Sequence, residues 1–193
     1  DRFLVAAEQA EIDPVICINK VDLVEPGAFQ PLVGVYAQMG YEVLQVSAVS
    51  GLNLPILRDT LQDCASVVVG QSGVGKSSLL NVVEPGLGLR VGSVSRETQK
   101  GRHTTTTARL IGLSTGGFIV DTPGIRQFAL WDVAREEVAG LFRDIRPFVG
   151  YCRFPDCTHT HEADCAVKAS VADGRLDARR YESYCHMRRD GEA

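Results

Sequence analysis

Ser66-Val-Val-Val-Gly70-Gln-Ser-Gly-Val-Gly75-Lys76-Ser77-Ser78-Leu79-Leu80-Asn81 decides the fold. A short apolar run is followed at once by G-x-x-x-x-G-K-S and then by a helical apolar pattern. Glycines let the backbone wrap a phosphate and aim its N–H groups inward. The helix that starts near Lys76 adds the positive end of its dipole. Gly70, Gln71, Ser72, Gly73, Val74, Gly75, Lys76, Ser77 and Ser78 are therefore candidate phosphate-binding residues. Lys76 is expected at the β and γ phosphates and Ser77 at Mg²⁺.

Working outward, short apolar runs alternate with helical patterns. Strands are expected at 14–18, 42–46, 66–69, 107–113 and 117–120, the last two joined at Gly116-Gly117. Helices are expected at 2–10, 28–40, 53–63 and 132–146, with two short ones at the end. The continuous apolar strands suit a buried, mostly parallel sheet, so the class is α/β.

Three further motifs sit at strand ends. Asn19-Lys20-Val21-Asp22 places a carboxylate where it can accept two hydrogen bonds, from the ring N–H and the amine of guanine. Adenine lacks that donor pair. Ser47-Ala48 follows the next strand, where the Ala48 N–H is expected at the guanine oxygen. Asp121-Thr-Pro-Gly124 offers an Asp for Mg²⁺ through water and a Gly N–H for the γ phosphate. Thr104 to Thr107 precede the hairpin. Thr105 is favoured for the Mg²⁺ shell, with Thr104 and Thr106 as alternatives. Ordinary GTPases run phosphate loop, switch threonine, DxxG, NKxD, SA. Here NKxD and SA come first, which reads as a circular permutation of the same sheet.

Residues 152–165 hold Cys152-x4-Cys157-x-His159-x5-Cys165, with His161 as an alternative ligand. Three thiols and an imidazole complete a tetrahedral Zn²⁺ site with no open position, so the zinc is expected to be structural. It would hold a segment too small to build its own core. Cys17 and Cys64 sit in apolar or helical contexts that suit buried free thiols.

The net charge of −4 is uneven: residues 1–64 carry 3 basic and 9 acidic side chains, residues 65–112 carry 6 and 2. A pI near 5.6 argues against a nonspecific nucleic-acid binder but leaves room for a basic patch between Arg90 and Arg109. No apolar run approaches the ~18 residues of a membrane span.

Together these residues resemble the RsgA (YjeQ-like) family of small-ribosomal-subunit-dependent GTPases. The resemblance adds Arg90-Val91-Gly92, Gly101-Arg-His-Thr-Thr-Thr106, Gly124-Ile-Arg-Gln-Phe-Ala-Leu-Trp131 and Cys152-Arg-Phe-Pro-Asp-Cys-Thr-His159 to the motifs above. It implies a circularly permuted GTPase domain over 1–148 and a zinc-binding C-terminal domain over 149–193. It implies GTP hydrolysis to GDP with Mg²⁺ in late maturation of the small ribosomal subunit. The partners would be that subunit and its rRNA, with no membrane, and the protein a cytoplasmic monomer. The family also carries an OB-fold part and one more inner strand ahead of the first helix here. Residue 1 is Asp, so a longer natural chain is expected.

The position after Asp121-Thr-Pro-Gly124 is Ile125, which cannot orient a water; His103 is the candidate for that task. Two other readings stay open. In one, hydrolysis only triggers release from RNA. In the other, the chain is an ATPase and NKVD is accidental.

Overall fold

The computed structural model describes residues 1–89, 109–121 and 133–189, with the Arg109 and Asp121 side chains outside the description. His103, Thr104 to Thr107, Gly124 and Ile125 therefore lie outside the described residues. The chain forms two compact units.

The first unit holds Val15–Gly34 and the described part of Glu42–Gln127. Its strands are β1 (Val15–Ile18), β2 (Glu42–Gln45), β3 (Ala65–Val67), β4 (Arg109–Gly112) and β5 (Phe118–Asp121). They form two sheets, a pair β1-β2 and a triple β3-β5-β4. β1 and β2 run parallel, with Val15 opposite Glu42 and Ile18 opposite Gln45. β3 and β5 run parallel, with Val67 opposite Val120. β4 and β5 form the antiparallel hairpin, Arg109 opposite Asp121. Each strand falls within two residues of its expected span at either end. Five strands and no six-stranded sheet are present among the described residues.

The helices here are α3 (Leu54–Leu61) and α4 (Lys76–Val83). Leu57, Leu61, Leu79, Leu80 and Val83 recur at helical spacing and meet Leu44, Val46, Leu113 and Ile119 in one core. Gly117 is required where the hairpin passes α3: an added Cβ would lie 2.6 Å from the Cys64 oxygen and 2.8 Å from the Leu61 oxygen, at φ +83°.

The expectation of fully buried strands does not hold for β1 and β3. Their residues alternate between exposed and half-buried, and Val67 stays 44% exposed. Cys17 and Cys64 are exposed as well, which corrects their reading as buried thiols. The physical reason at Cys17 and Val67 is pairing: β1 bonds only β2 and β3 bonds only β5, so each keeps a free edge among the described strands.

The second unit holds Asp1–Pro14, Val35–Tyr41 and the described part of Phe128–Ala193. It contains α1 (Arg2–Gln9), the end of α2 (Gln30–Gln38), α5 (Val138–Leu141), α6 (Ala166–Ala172) and α7 (Ala178–Arg189). Its core joins Val5, Val138, Phe142, Ile145, Val167, Leu176, Tyr184 and Met187. Tyr184 meets Phe142 edge-on, with centroids 5.8 Å apart. Residues 1–14 and 35–41 thus pack with the C-terminal segment.

Arg180 is 2% exposed in this unit. Its guanidinium donates two bonds of 3.0 Å to the Asp144 carboxylate and one to Asp1. It also lies 4.5 Å over the Phe142 ring. A buried charge is tolerable only when paired in this way.

The helix expected over 132–146 shortens to α5 and a 3-10 turn at Arg146–Phe148. Phe142 leaves the helical region, at φ −91° and ψ 109°, and is fully buried. Gly140 within the stretch lowers its helical preference. Among the described residues no helix is long and apolar enough to cross a membrane.

Candidate functional site

β3 delivers the chain into the phosphate loop and α4 takes it away. Gly70, Gly73 and Gly75 have φ of +145°, +83° and +97°. Gly75 is the residue just before α4, and the Leu79 N–H donates back to its oxygen at 2.9 Å. At φ +97° any larger residue is strained, and a Cβ at Gly75 would come within 2.5 Å of Asn19 Nδ2, so it would also displace that side chain. Lys76 Nζ donates to the Gly70 and Gln71 oxygens at 2.7 and 2.8 Å, which places the ammonium across the loop mouth. Gln71, Ser72, Gly73 and Val74 are exposed, and Ser77 and Ser78 are half-buried in the first turn of α4.

The Asn19–Asp22 loop closes onto this loop from across the unit. Asn19 Nδ2 donates to the Val74 oxygen at 3.0 Å, and Lys20 Nζ to the Gly73 oxygen at 2.7 Å. Lys20 adopts the left-handed region, at φ +65°. The two motifs are more than 50 residues apart in the chain, yet they share hydrogen bonds. Asn19 Oδ1 is buried without a protein partner among the described residues, an acceptor left free at the seam.

Ser47 is fully buried behind the same loop. Its hydroxyl donates to the Asp22 carboxylate at 2.5 Å and accepts from the Val49 and Ser50 N–H groups at 3.2 and 3.0 Å. Ser47 thus fixes the Asp22 carboxylate, and Ala48 follows it, packed against the core. Sequence reasoning placed Ser47 in the site but missed this task. The signal available was a Ser at the end of a strand followed by a tight S-x-x-S-G turn. Asp121 ends β5, which runs beside β3, so its backbone lies next to the strand that feeds the phosphate loop. Asn19, Lys20, Asp22, Ser47, Ala48 and residues 70–78 therefore come together.

In the second unit Cys152, Cys157, His159 and Cys165 bring their ligand atoms within 4.8 Å of one another. Cys152 Sγ lies 3.3 Å from His159 Nδ1 and 3.8 Å from Cys165 Sγ, and Cys165 Sγ lies 3.5 Å from His159 Nδ1. A tetrahedral zinc with ~2.3 Å bonds to sulfur needs sulfurs about 3.8 Å apart, so the donor set fits. His161 is 81% exposed beside Glu162, and the imidazole within the cluster is that of His159.

The knuckle is braced by groups the sequence reading did not single out. Tyr181 and Tyr184 donate to the His159 and Thr158 oxygens at 2.8 and 2.7 Å. Glu162 accepts from the Thr158 N–H, the Thr158 hydroxyl and the Thr160 N–H. These bonds outweigh burial and hold its carboxyl well below the usual range.

Burial pushes the Cys157 thiol up to about 12 and raises Cys165, and it lowers His159. At Cys152 burial works the same way, but the Ala166 amide and the neighbouring thiols outweigh it and lower the thiol. A Zn²⁺ charge deprotonates coordinating thiols outright.

The RsgA GTPase family model matches residues 1–131. The chain is 47% identical over 190 residues to the small ribosomal subunit biogenesis GTPase RsgA of Pseudomonas aeruginosa, covering 97% of this chain and 56% of that protein. It is 44% identical to the protein of that name from Shewanella oneidensis, over 95% of this chain and 53% of the relative. The chain thus spans about half the length of the curated relatives it matches. The crystal structure of YjeQ from Thermotoga maritima superposes with a TM-score of 0.82 at 36% identity, covering 98% of this chain and 63% of that one. YloQ, described as a circularly permuted GTPase, gives 0.75 at 36% identity, over 98% and 60%.

Proposed function

The chain belongs to the RsgA GTPase family, with the circularly permuted GTPase fold, and from that premise we propose that it hydrolyses GTP to GDP while acting in late maturation of the small ribosomal subunit. The observation that carries this reading is the grip of Asn19 and Lys20 on the Val74 and Gly73 oxygens. It joins a guanine-selecting loop to a phosphate loop although the chain supplies them in permuted order.

In this mechanism Asp22, held by Ser47, accepts from the guanine ring N–H and amine. The Ala48 N–H meets the guanine oxygen. The amides of Gly70 to Lys76 and the Lys76 ammonium cradle the phosphates and stabilise charge that develops in the transition state. Lys76 leaves the Gly70 and Gln71 oxygens to do so. Ser77, Thr105 and Asp121 would hold Mg²⁺, which would supply positive charge to offset that of the phosphates. The Gly124 N–H meets the γ phosphate. Ile125 is apolar, so His103 positions the attacking water, or the subunit does. Turnover is then slow alone and stimulated by small subunits.

Cys152, Cys157, His159 and Cys165 would hold a structural Zn²⁺, with no catalytic part. The partners are the small subunit and its rRNA, reached through the basic Arg90–Arg109 stretch, and the protein acts as a cytoplasmic monomer.

The test is competition and turnover. Unlabelled GTP and GDP should displace labelled GTP while ATP does not. Asp22→Asn should weaken guanine nucleotide binding about 100-fold, as loss of a charge-assisted hydrogen-bond pair does. Displacement by ATP at equal concentration, or an Asp22→Asn variant that still binds GTP as wild type, would sink the reading. Hydrolysis unchanged by added small subunits would remove the partner assignment alone.

A further inference from the structure

The loop that carries Ser47 and Ala48 is closed by a clamp that the mechanism above does not use. This loop leaves Gln45, the last residue of β2, and enters α3 at Leu54. Its backbone N–H groups are spent almost one by one. Val46 donates to the Ile18 oxygen at 2.9 Å and Ser47 to the Leu52 oxygen at 3.2 Å. Val49 and Ser50 donate to the Ser47 hydroxyl, and Gly51 to the Ser47 oxygen at 3.0 Å. Between Val46 and Gly51 the Ala48 N–H alone has no partner among the described residues. A donor left over amid satisfied neighbours is available to a ligand.

Asn53 closes the loop. It sits just ahead of α3 in the left-handed region, at φ +54° and ψ +18°, which Asn tolerates better than most residues with a side chain. An Asn in that place commonly caps the first N–H groups of the helix. Here it makes no such bond. Its amide instead reaches back eight residues and donates to the Gln45 oxygen at 2.8 Å. The clamp ties the start of α3 to the end of β2. Both elements are anchored beyond it, by Leu57 and Leu44 in the same core. The two roots of the loop are therefore fixed to each other as well as to the core.

We propose that Asn53 is a positioning residue for guanine recognition, holding the loop roots together so that the Ala48 N–H stays aimed at the guanine oxygen. This rests on the GTPase reading and adds to it a residue that touches no nucleotide and acts through the backbone of 45–53. Ser47 serves the ring N–H and the amine through Asp22; Asn53 serves the oxygen through Ala48.

The experiment measures the Kd of GDP and of 6-thioguanosine diphosphate on purified full-length protein, by competition with a fluorescent GDP. The thio nucleotide keeps the ring N–H and amine that Asp22 accepts from, but its sulfur is a poor acceptor for the Ala48 N–H. Wild type should prefer GDP about fivefold, the worth of one ordinary hydrogen bond. Asn53→Gly keeps the left-handed backbone and removes the amide. It is expected to weaken GDP about fivefold with the thio nucleotide within about twofold of wild type, so the preference shrinks. Asn53→Asp tolerates the same φ, but its carboxylate cannot donate to the Gln45 oxygen, and it should fall as far. A loosened α3 with no bearing on the base would weaken both nucleotides by one factor and leave the preference intact. That result, or a GDP Kd in Asn53→Gly within about twofold of wild type, overturns the proposal. A wild type that binds GDP no better than ATP overturns the GTPase reading itself and this inference with it, a result distinct from a guanine-selective wild type with an unaffected Asn53→Gly.

Discussion

The two sites of this molecule are built in opposite ways. The nucleotide site is an open surface assembled from loops at residues 19–22, 47–51 and 70–77, bridged by exposed side chains on backbone oxygens. The cysteine–histidine knuckle draws its ligands from one stretch of 14 residues, 152–165, and is packed on the core of its own unit. An open site must admit and release a ligand, so its hydrogen bonds stay few and near water. A closed site holds its ligand permanently and becomes part of the fold. On the proposed function the contrast separates a place of chemistry from a place of stability, and each side of it is open to attack.

The largest effect should come from the closed site. Stripping metal with a strong chelator, or changing Cys165→Ser, is expected to unfold the 133–189 region, because structural zinc binding contributes roughly 10–16 kcal/mol in small zinc modules. Loss of α7 helicity and protease resistance would report it. An unchanged unfolding curve after complete metal removal would break the comparison, since the knuckle would then be no part of the fold's stability.

Next comes the buried ion group of the same unit. Arg180→Ala leaves Asp144 and Asp1 without their cation and should cost about 3–5 kcal/mol in thermal or urea unfolding. Arg180→Met, which keeps the packing on Phe142 but not the charge, should lose as much or nearly so if pairing is what matters. Full recovery by Met would make Arg180 a packing residue.

The smallest effect belongs to the open site. Ser47→Ala removes the hydroxyl that orients Asp22 and should weaken GTP binding by about tenfold, near 1.4 kcal/mol, with little change in stability. Comparison with inosine triphosphate, which lacks the guanine amine, sharpens this. The loss should shrink for that nucleotide, because Asp22 then has one donor fewer to meet. Equal losses for both would mean that Ser47 supports the loop without aiming the carboxylate.

Much of this was legible before any coordinates. The strands at 15–18, 42–45 and 65–67, and the hairpin, fall where apolar runs and the Gly116-Gly117 turn put them. The clustering of Cys152, Cys157, His159 and Cys165 was legible because their spacing is local. Three features were not. The span 132–146 has helical periodicity, but burial of Phe142 won over it and cut the helix to four residues. Cys17 and Val67 read as interior from their apolar neighbours, and they are exposed because among the described strands β1 and β3 each pair on one side only. Asn81 lies within α4, and nothing in its type announces that its amide bonds both the oxygen and the N–H of Leu89, at 2.7 and 2.8 Å.

The sequence by itself determined the α/β class, the permuted order of the motifs, the family, and which residue types could meet phosphate, guanine and metal. These depend on spacing within a few residues, where the covalent chain fixes what can be near what. Only the tertiary structure decided that Asn19 and Lys20 hold the phosphate loop, that Ser47 aims Asp22, and that His159 lies among the thiols while His161 is exposed. It also decided that Arg180 gathers Asp1 and Asp144, which lie 179 and 36 residues from it in the sequence. Each of these is a long-range pairing or a choice of side-chain direction, set by packing and by the need of every buried polar group for a partner.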